Sequence, residues 1–77
     1  MNRKSLNEIK IGEKVKVEEL KCDNTIRRRM LDLGIVKGTD MLPVLKSPSG
    51  DPTAYEVRGS IIALRKEDAQ QIKVKRK

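Results

Sequence analysis

Apolar and polar residues alternate over positions 13–20, where Val15 and Val17 share one side and Lys14, Lys16 and Glu18 share the other. A period of two predicts a half-buried strand. Ahead of it, Ser5-Leu6-Asn7-Glu8 matches a capping box, with the Ser5 hydroxyl accepting from the Glu8 N–H and the Glu8 carboxylate accepting from the Ser5 N–H. Lys10-Ile11-Gly12 limits that segment to one short helical turn, with Leu6 and Ile9 facing inward. After the strand, Cys22-Asp23-Asn24-Thr25 supplies candidate N-caps, and the period changes. Ile26, Met30 and Leu33 recur at i, i+4 and i+7 and predict a helix over 26–33 that buries those three residues. Leu31 and the good helix formers Arg27, Arg28 and Arg29 take the remaining surface. Gly34 falls at the C′ position, where positive φ closes a helix.

Alternation returns downstream. Positions 40–46 read as a strand in which Pro43 has no N–H to donate, so it belongs at an edge or a bulge. Ser47-Pro48-Ser49-Gly50-Asp51-Pro52 is built wholly of turn formers. Positions 53–58 alternate through Tyr55 and Val57, and Gly59-Ser60 marks a tight turn into a strand over 60–65. Positions 66–70 have room for one helical turn, and Ile72 and Val74 alternate with Lys73 and Lys75 in a closing strand. The fold class is therefore mainly β: about five short strands with a helical insertion after the first. Curling into a small barrel gives such strands an inside and removes most exposed edges, and an SH3-like barrel fits better than a five-stranded OB barrel.

The 77 residues make one domain, 1–77, with a thin core that buries about 60% of the unfolded surface. Charged residues slightly outnumber hydrophobic ones, 38% against 36%, yet the apolar positions are patterned, which separates the chain from a disordered one. The longest apolar run, 61–64, is far short of the roughly 20 residues of a spanning helix, and the first sixteen positions lack the apolar stretch of a secretory signal. The lone Cys22 makes no internal disulfide, which fits a cytoplasmic protein. Without histidine, the commonest general base and nitrogen metal ligand are missing, and one cysteine gives no thiolate cluster. Glu18 and Glu19, neighbours on a strand, point to opposite faces and do not converge on an ion. The expectation is a binding module with no catalytic residues, no metal site and no cofactor.

The formal net charge of +7 sets the sign of the partner. Basic residues concentrate in Arg27, Arg28 and Arg29 and in the tail Lys73, Lys75, Arg76 and Lys77. Nucleic-acid-binding barrels usually stack bases on aromatic rings, and Tyr55 alone is a poor platform.

The ordered set Arg29-Met-Leu-Asp-Leu-Gly-Ile35, Lys37-Gly38, the 47–52 loop, Val57-Arg-Gly-Ser-Ile-Ile-Ala-Leu-Arg65, Asp68-Ala69 and Ile72-Lys-Val74 resembles the ferrous-iron transport protein A (FeoA) family. Leu6, Ile11-Gly12 and Val15-Lys-Val17 extend the match at the amino-terminal side, and Asp40-Met41-Leu42-Pro43 departs from a regular β-branched strand. The resemblance implies an SH3-like barrel and a cytosolic accessory protein of bacterial ferrous-iron uptake. Its implied partner is the membrane permease that carries a cytoplasmic G-protein domain. The same fold also ends iron- and manganese-dependent repressors; starting at Met1 with no DNA-binding region before it, this chain is expected to be the stand-alone protein.

The partner-binding candidates are Arg27, Arg28, Arg29 and Leu31, because arginine's planar fork pairs with carboxylates across interfaces. Lys73, Lys75, Arg76 and Lys77 are candidates for an acidic surface or the anionic inner leaflet, at about 1 kcal/mol per basic residue, against the simpler expectation of a frayed, solvated tail. An arginine reaching a nucleotide site to affect GTP hydrolysis, and self-association as a weak homodimer, are further expectations.

Overall fold

The alternation at Val15 and Val17 becomes strand because both side chains enter the core with no residual exposure. The structure, a computed structural model, describes residues 4–21 and 23–77, so the expectation for Cys22 lies outside the described residues. In chain order the elements are β1 (Lys4–Ser5), a 3-10 turn (Leu6–Glu8), β2 (Val15–Leu20), α1 (Asn24–Asp32), β3 (Asp40–Lys46), β4 (Thr53–Val57), β5 (Ser60–Leu64), α2 (Lys66–Ala69) and β6 (Ile72–Arg76). The strands form one antiparallel sheet in the order β1-β6-β2-β3-β4-β5, curled as an SH3-like barrel. Its core joins Leu6, Ile9, Met30, Ile35 and Met41 to the inward residues of the strands, with Tyr55 as its one ring.

There are six strands among the described residues rather than about five. The additional strand, β1, has only two residues, which pair Lys4 with Val74 and Ser5 with Lys73. Two residues carry no periodicity, and the pairing is made with the far end of the chain. The helix therefore follows the second strand. Nor is the carboxy-terminal stretch frayed through Arg76. β6 lies between β1 and β2, and Ile72 and Val74 are fully buried. The alternation that predicted a closing strand also holds the lysines between its apolar residues in the sheet.

Pro43 sits where the register between β3 and β4 shifts, between Pro43 and Leu45. The pairing of β3 with β2 is confined to Asp40 and Met41, so β3 is a local edge at Pro43, and its carbonyl accepts instead from the Gly12 N–H at 2.8 Å. The turn from β4 to β5 consists of Arg58 and Gly59, with φ of 53° and 84°, between the paired residues Val57 and Ser60. Two successive positive φ values are the geometry that matches a hairpin's twist.

Candidate functional site: a groove between β2 and α1

Opposite β6, Val17 pairs with Val74 and Glu19 with Lys73, which leaves Glu18 as the extra residue of a β-bulge. A bulge bends its strand and re-aims the side chains around it. The expectation that Glu18 and Glu19 face apart fails for this reason: both line one groove, together with Leu20.

The opposite wall is α1. The Asp23 carboxylate caps it by accepting from the Ile26 N–H at 3.0 Å. Arg27 Nη2 donates to the Leu20 carbonyl at 2.9 Å and ties the helix to the end of β2. One turn later Leu31 stands 60% exposed on the same side. The helix ends in a Schellman motif: the Gly34 N–H donates to the Leu31 carbonyl at 2.9 Å and the Ile35 N–H to the Met30 carbonyl at 2.8 Å. Gly34 has φ +85°, as the motif requires. This sends the chain back beneath the helix, where Ile35 is buried and Val36 and Lys37 complete the groove.

Hydrogen bonds hold that segment against β2. The Gly38 N–H donates to the Val17 carbonyl and the Val17 N–H to the Thr39 carbonyl, both at 2.8 Å. The buried Thr39 hydroxyl accepts from the Val36 N–H at 3.0 Å and donates to the Gly34 carbonyl at 3.4 Å. The result is a groove of about 590 Å³ with Leu20, Leu31, Ile35 and Val36 as apolar lining and Glu18, Glu19, Arg27 and Lys37 as its charged residues. Apolar lining with a few charged groups suits a peptide or helix surface.

Of the four residues predicted to bind a partner, Arg27 and Leu31 share this groove. Successive helical residues are turned about 100° apart, so the arginines splay. Arg28 is exposed, and Arg29 Nη1 lies 3.4 Å from Asp68 Oδ2 of α2. Met30 is buried and Ile26 packs against the core, but Leu33 is 37% exposed. It occupies the C-cap, where the chain leaves the helical path and the 3.6 period lapses. Sequence reasoning missed Glu18, Glu19, Leu20, Ile35, Val36 and Lys37 as groove residues, since neither a bulge in β2 nor the return of the chain beneath the helix leaves a mark in the alternation.

The basic tail turns its charges onto its own barrel. Lys73 Nζ donates to Ser5 Oγ at 2.8 Å, Lys75 Nζ lies 3.7 Å from Glu18 Oε2, and Arg76 pairs with Glu13. Lys77 Nζ bonds Asp40 Oδ2 at 2.9 Å. That hydrogen bond holds the Asp40 carboxyl below its usual range, against the opposing effect of burial and with help from the charges of Lys77, Lys16 and Lys14. The predicted capping box is present on both sides, the Ser5 side chain meeting the Glu8 backbone and the Ser5 N–H donating to Glu8 Oε1 at 3.1 Å.

Among the described residues, no three His, Cys, Asp or Glu side chains are grouped to hold a metal ion, and no helix is long and apolar enough to cross a membrane. Tyr55 is 2% exposed, so its ring is not on the surface for base stacking.

The family model for the FeoA domain matches residues 4–76. A curated relative, the Fe(2+) transport protein A/Fe(2+) transporter FeoB fusion protein of Porphyromonas gingivalis, is 30% identical over 69 residues. That match takes in 90% of this chain and spans 8% of the relative's length. The solution structure of an FeoA-like protein from Clostridium acetobutylicum is similar at 39% identity and TM-score 0.90, covering 99% of this chain and 88% of that one. FeoA from Chlorobium tepidum is similar at 30% identity and TM-score 0.87, covering 94% of this chain and 69% of that one. A manganese-dependent transcriptional repressor shares the fold at 16% identity and TM-score 0.88, over 97% of this chain and 42% of its own.

Proposed function

This chain belongs to the FeoA domain family, and on that premise we infer that it is an accessory protein of ferrous-iron uptake that docks on the membrane permease through the groove between β2 and α1. The observation that carries this reading is the Porphyromonas fusion, in which a segment 30% identical to this chain shares one polypeptide with a ferrous-iron transporter. Tethering raises the effective concentration of two domains for one another and favours pairs that work in contact. The groove supports the reading from this chain's side. Leu31 offers an apolar anchor at its margin, and Lys37 offers a charge for an acidic side chain of a partner.

In this reading the partner surface lies on the permease's cytoplasmic G-protein domain, and the protein resides at the inner face of the membrane. Lys75 and Arg76, 58% and 68% exposed beyond their ion pairs, would there be attracted to anionic lipid. The role is binding rather than catalysis, and iron is the permease's cargo. The test is co-purification of the tagged protein with the permease from membranes, with and without a non-hydrolysable GTP analogue. Retention with the permease is expected, and its failure in both nucleotide states contradicts the reading.

A further inference from the structure

Among the described residues the sheet ends at β5, with no strand paired to its far side. In a hairpin closed by the two residues Arg58 and Gly59, Val57 and Ser60 exchange hydrogen bonds, and so do the alternate pairs Tyr55 with Ile62 and Thr53 with Leu64. The N–H and C=O groups of Ile61 and Ala63 therefore point away from β4, toward the open side. Both residues are exposed, Ile61 at 61%. Proteins usually blunt such an edge with a lysine, a proline or a bulge. The stretch Ser60-Ile61-Ile62-Ala63-Leu64 has no charge and no proline, and its register with β4 is unbroken.

We propose that the free edge of β5 is a docking site for an extended segment of an acidic protein, added to the sheet as a further strand. Backbone bonds to Ile61 and Ala63 supply the alignment, and alternate side chains of the incoming strand pack beside Ile61 and Ala63 on the exposed face. The charges at the two ends choose the occupant. Arg58 stands at one end of the edge; at the other are Arg65, 65% exposed with only a 4.0 Å contact to Glu67, and Lys66. An incoming strand with a carboxylate at each end satisfies both. A second copy of this chain fits poorly. Pairing Ile61 with its partner's Ala63 brings Arg65 of each copy beside the Arg58-Gly59 turn of the other, and each copy already carries +7. This site shares no residue with the groove at α1 and stands whether or not that groove binds the permease.

The probe is a synthetic peptide, Asp-Val-Thr-Val-Thr-Asp, titrated into the isotopically labelled protein and followed by amide NMR. A control peptide carries lysine at both ends. The expected result is saturable shifts and slowed hydrogen exchange at the Ile61 and Ala63 amides with the acidic peptide, at least about tenfold weaker with the basic one. Ala63→Pro removes an N–H that points to the open side and abolishes the effect. The double variant Arg58→Asp, Arg65→Glu keeps every strand residue and inverts the preference between the two peptides, so misfolding of the proline variant cannot hide the answer. Shifts confined to the groove, equal response to both peptides, or concentration-dependent shifts at Ile61 and Ala63 without peptide, the sign of a second copy, each overturn the proposal.

Discussion

Arg29 and Asp68 face each other across α1 and α2, Nη1 to Oδ2 at 3.4 Å, with the Asp68 side chain only 6% exposed. The contact rests on charge and makes one of three consecutive arginines a structural one. Arg29→Ala leaves a nearly buried carboxylate uncompensated, and because the arginine itself is half exposed the expected loss is modest, about 1 kcal/mol. Arg28→Ala removes an exposed side chain and should stay within about 0.5 kcal/mol of wild type. Urea unfolding of both variants measures the difference.

Gly34 is needed for its backbone, not for space. A Cβ there would meet only Arg58 Cδ, at an ordinary 3.8 Å, but φ is +85°. Gly34→Ala should cost about 1–2 kcal/mol, and Gly34→Asn less, because asparagine tolerates the left-handed region. The two thermal transitions, compared with wild type, test the order.

Tyr55 makes stability depend on pH at the alkaline end. Burial pushes its hydroxyl above the ordinary value of 10.0, with a hydrogen bond to Thr53 opposing and the charge of Asp51 adding. Between the unfolded value and the raised folded one, the native state holds more protons than the unfolded state. The contribution of Tyr55 is then fully present below about pH 10 and is lost as pH rises through the folded value. Unfolding free energy measured from pH 8 upward should decline, and Tyr55→Phe should flatten that decline.

Asp40 behaves in the opposite sense. Its carboxyl is held below 3.8, first by the hydrogen bond from Lys77, so its contribution is present above the unfolded value and lost as pH falls through the folded one. In Lys77→Met the Asp40 titration followed by carboxyl NMR should move upward. An unmoved titration would mean that the last residue is not fixed to the barrel.

What was legible in the sequence is what local chemistry decides. The Asp23 cap, Gly34 as C′, the buried Met30 and the Arg27–Leu31 pairing on one side of the helix follow from spacing within one or two turns. Leu33 eluded the pattern because the helix stops one residue before it. The bulge at Glu18, the two-residue β1 and the tail held by Ser5, Glu13, Glu18 and Asp40 depend on partners distant in the chain. No period records such pairings. Of the groove, only the part carried by the helix, Arg27 and Leu31, was therefore visible beforehand.

The central claim is that the groove docks on the permease, and Leu31 is its exposed anchor. Leu31→Glu places a charge on that anchor while keeping a good helix former at a surface position, so the fold is retained. The direct measurement is a binding isotherm of wild type and Leu31→Glu against the permease in lipid nanodiscs, with both folds verified by amide NMR. Saturable wild-type binding, weakened at least about tenfold in the variant, is the predicted result. Equal affinity of the two proteins would contradict the account.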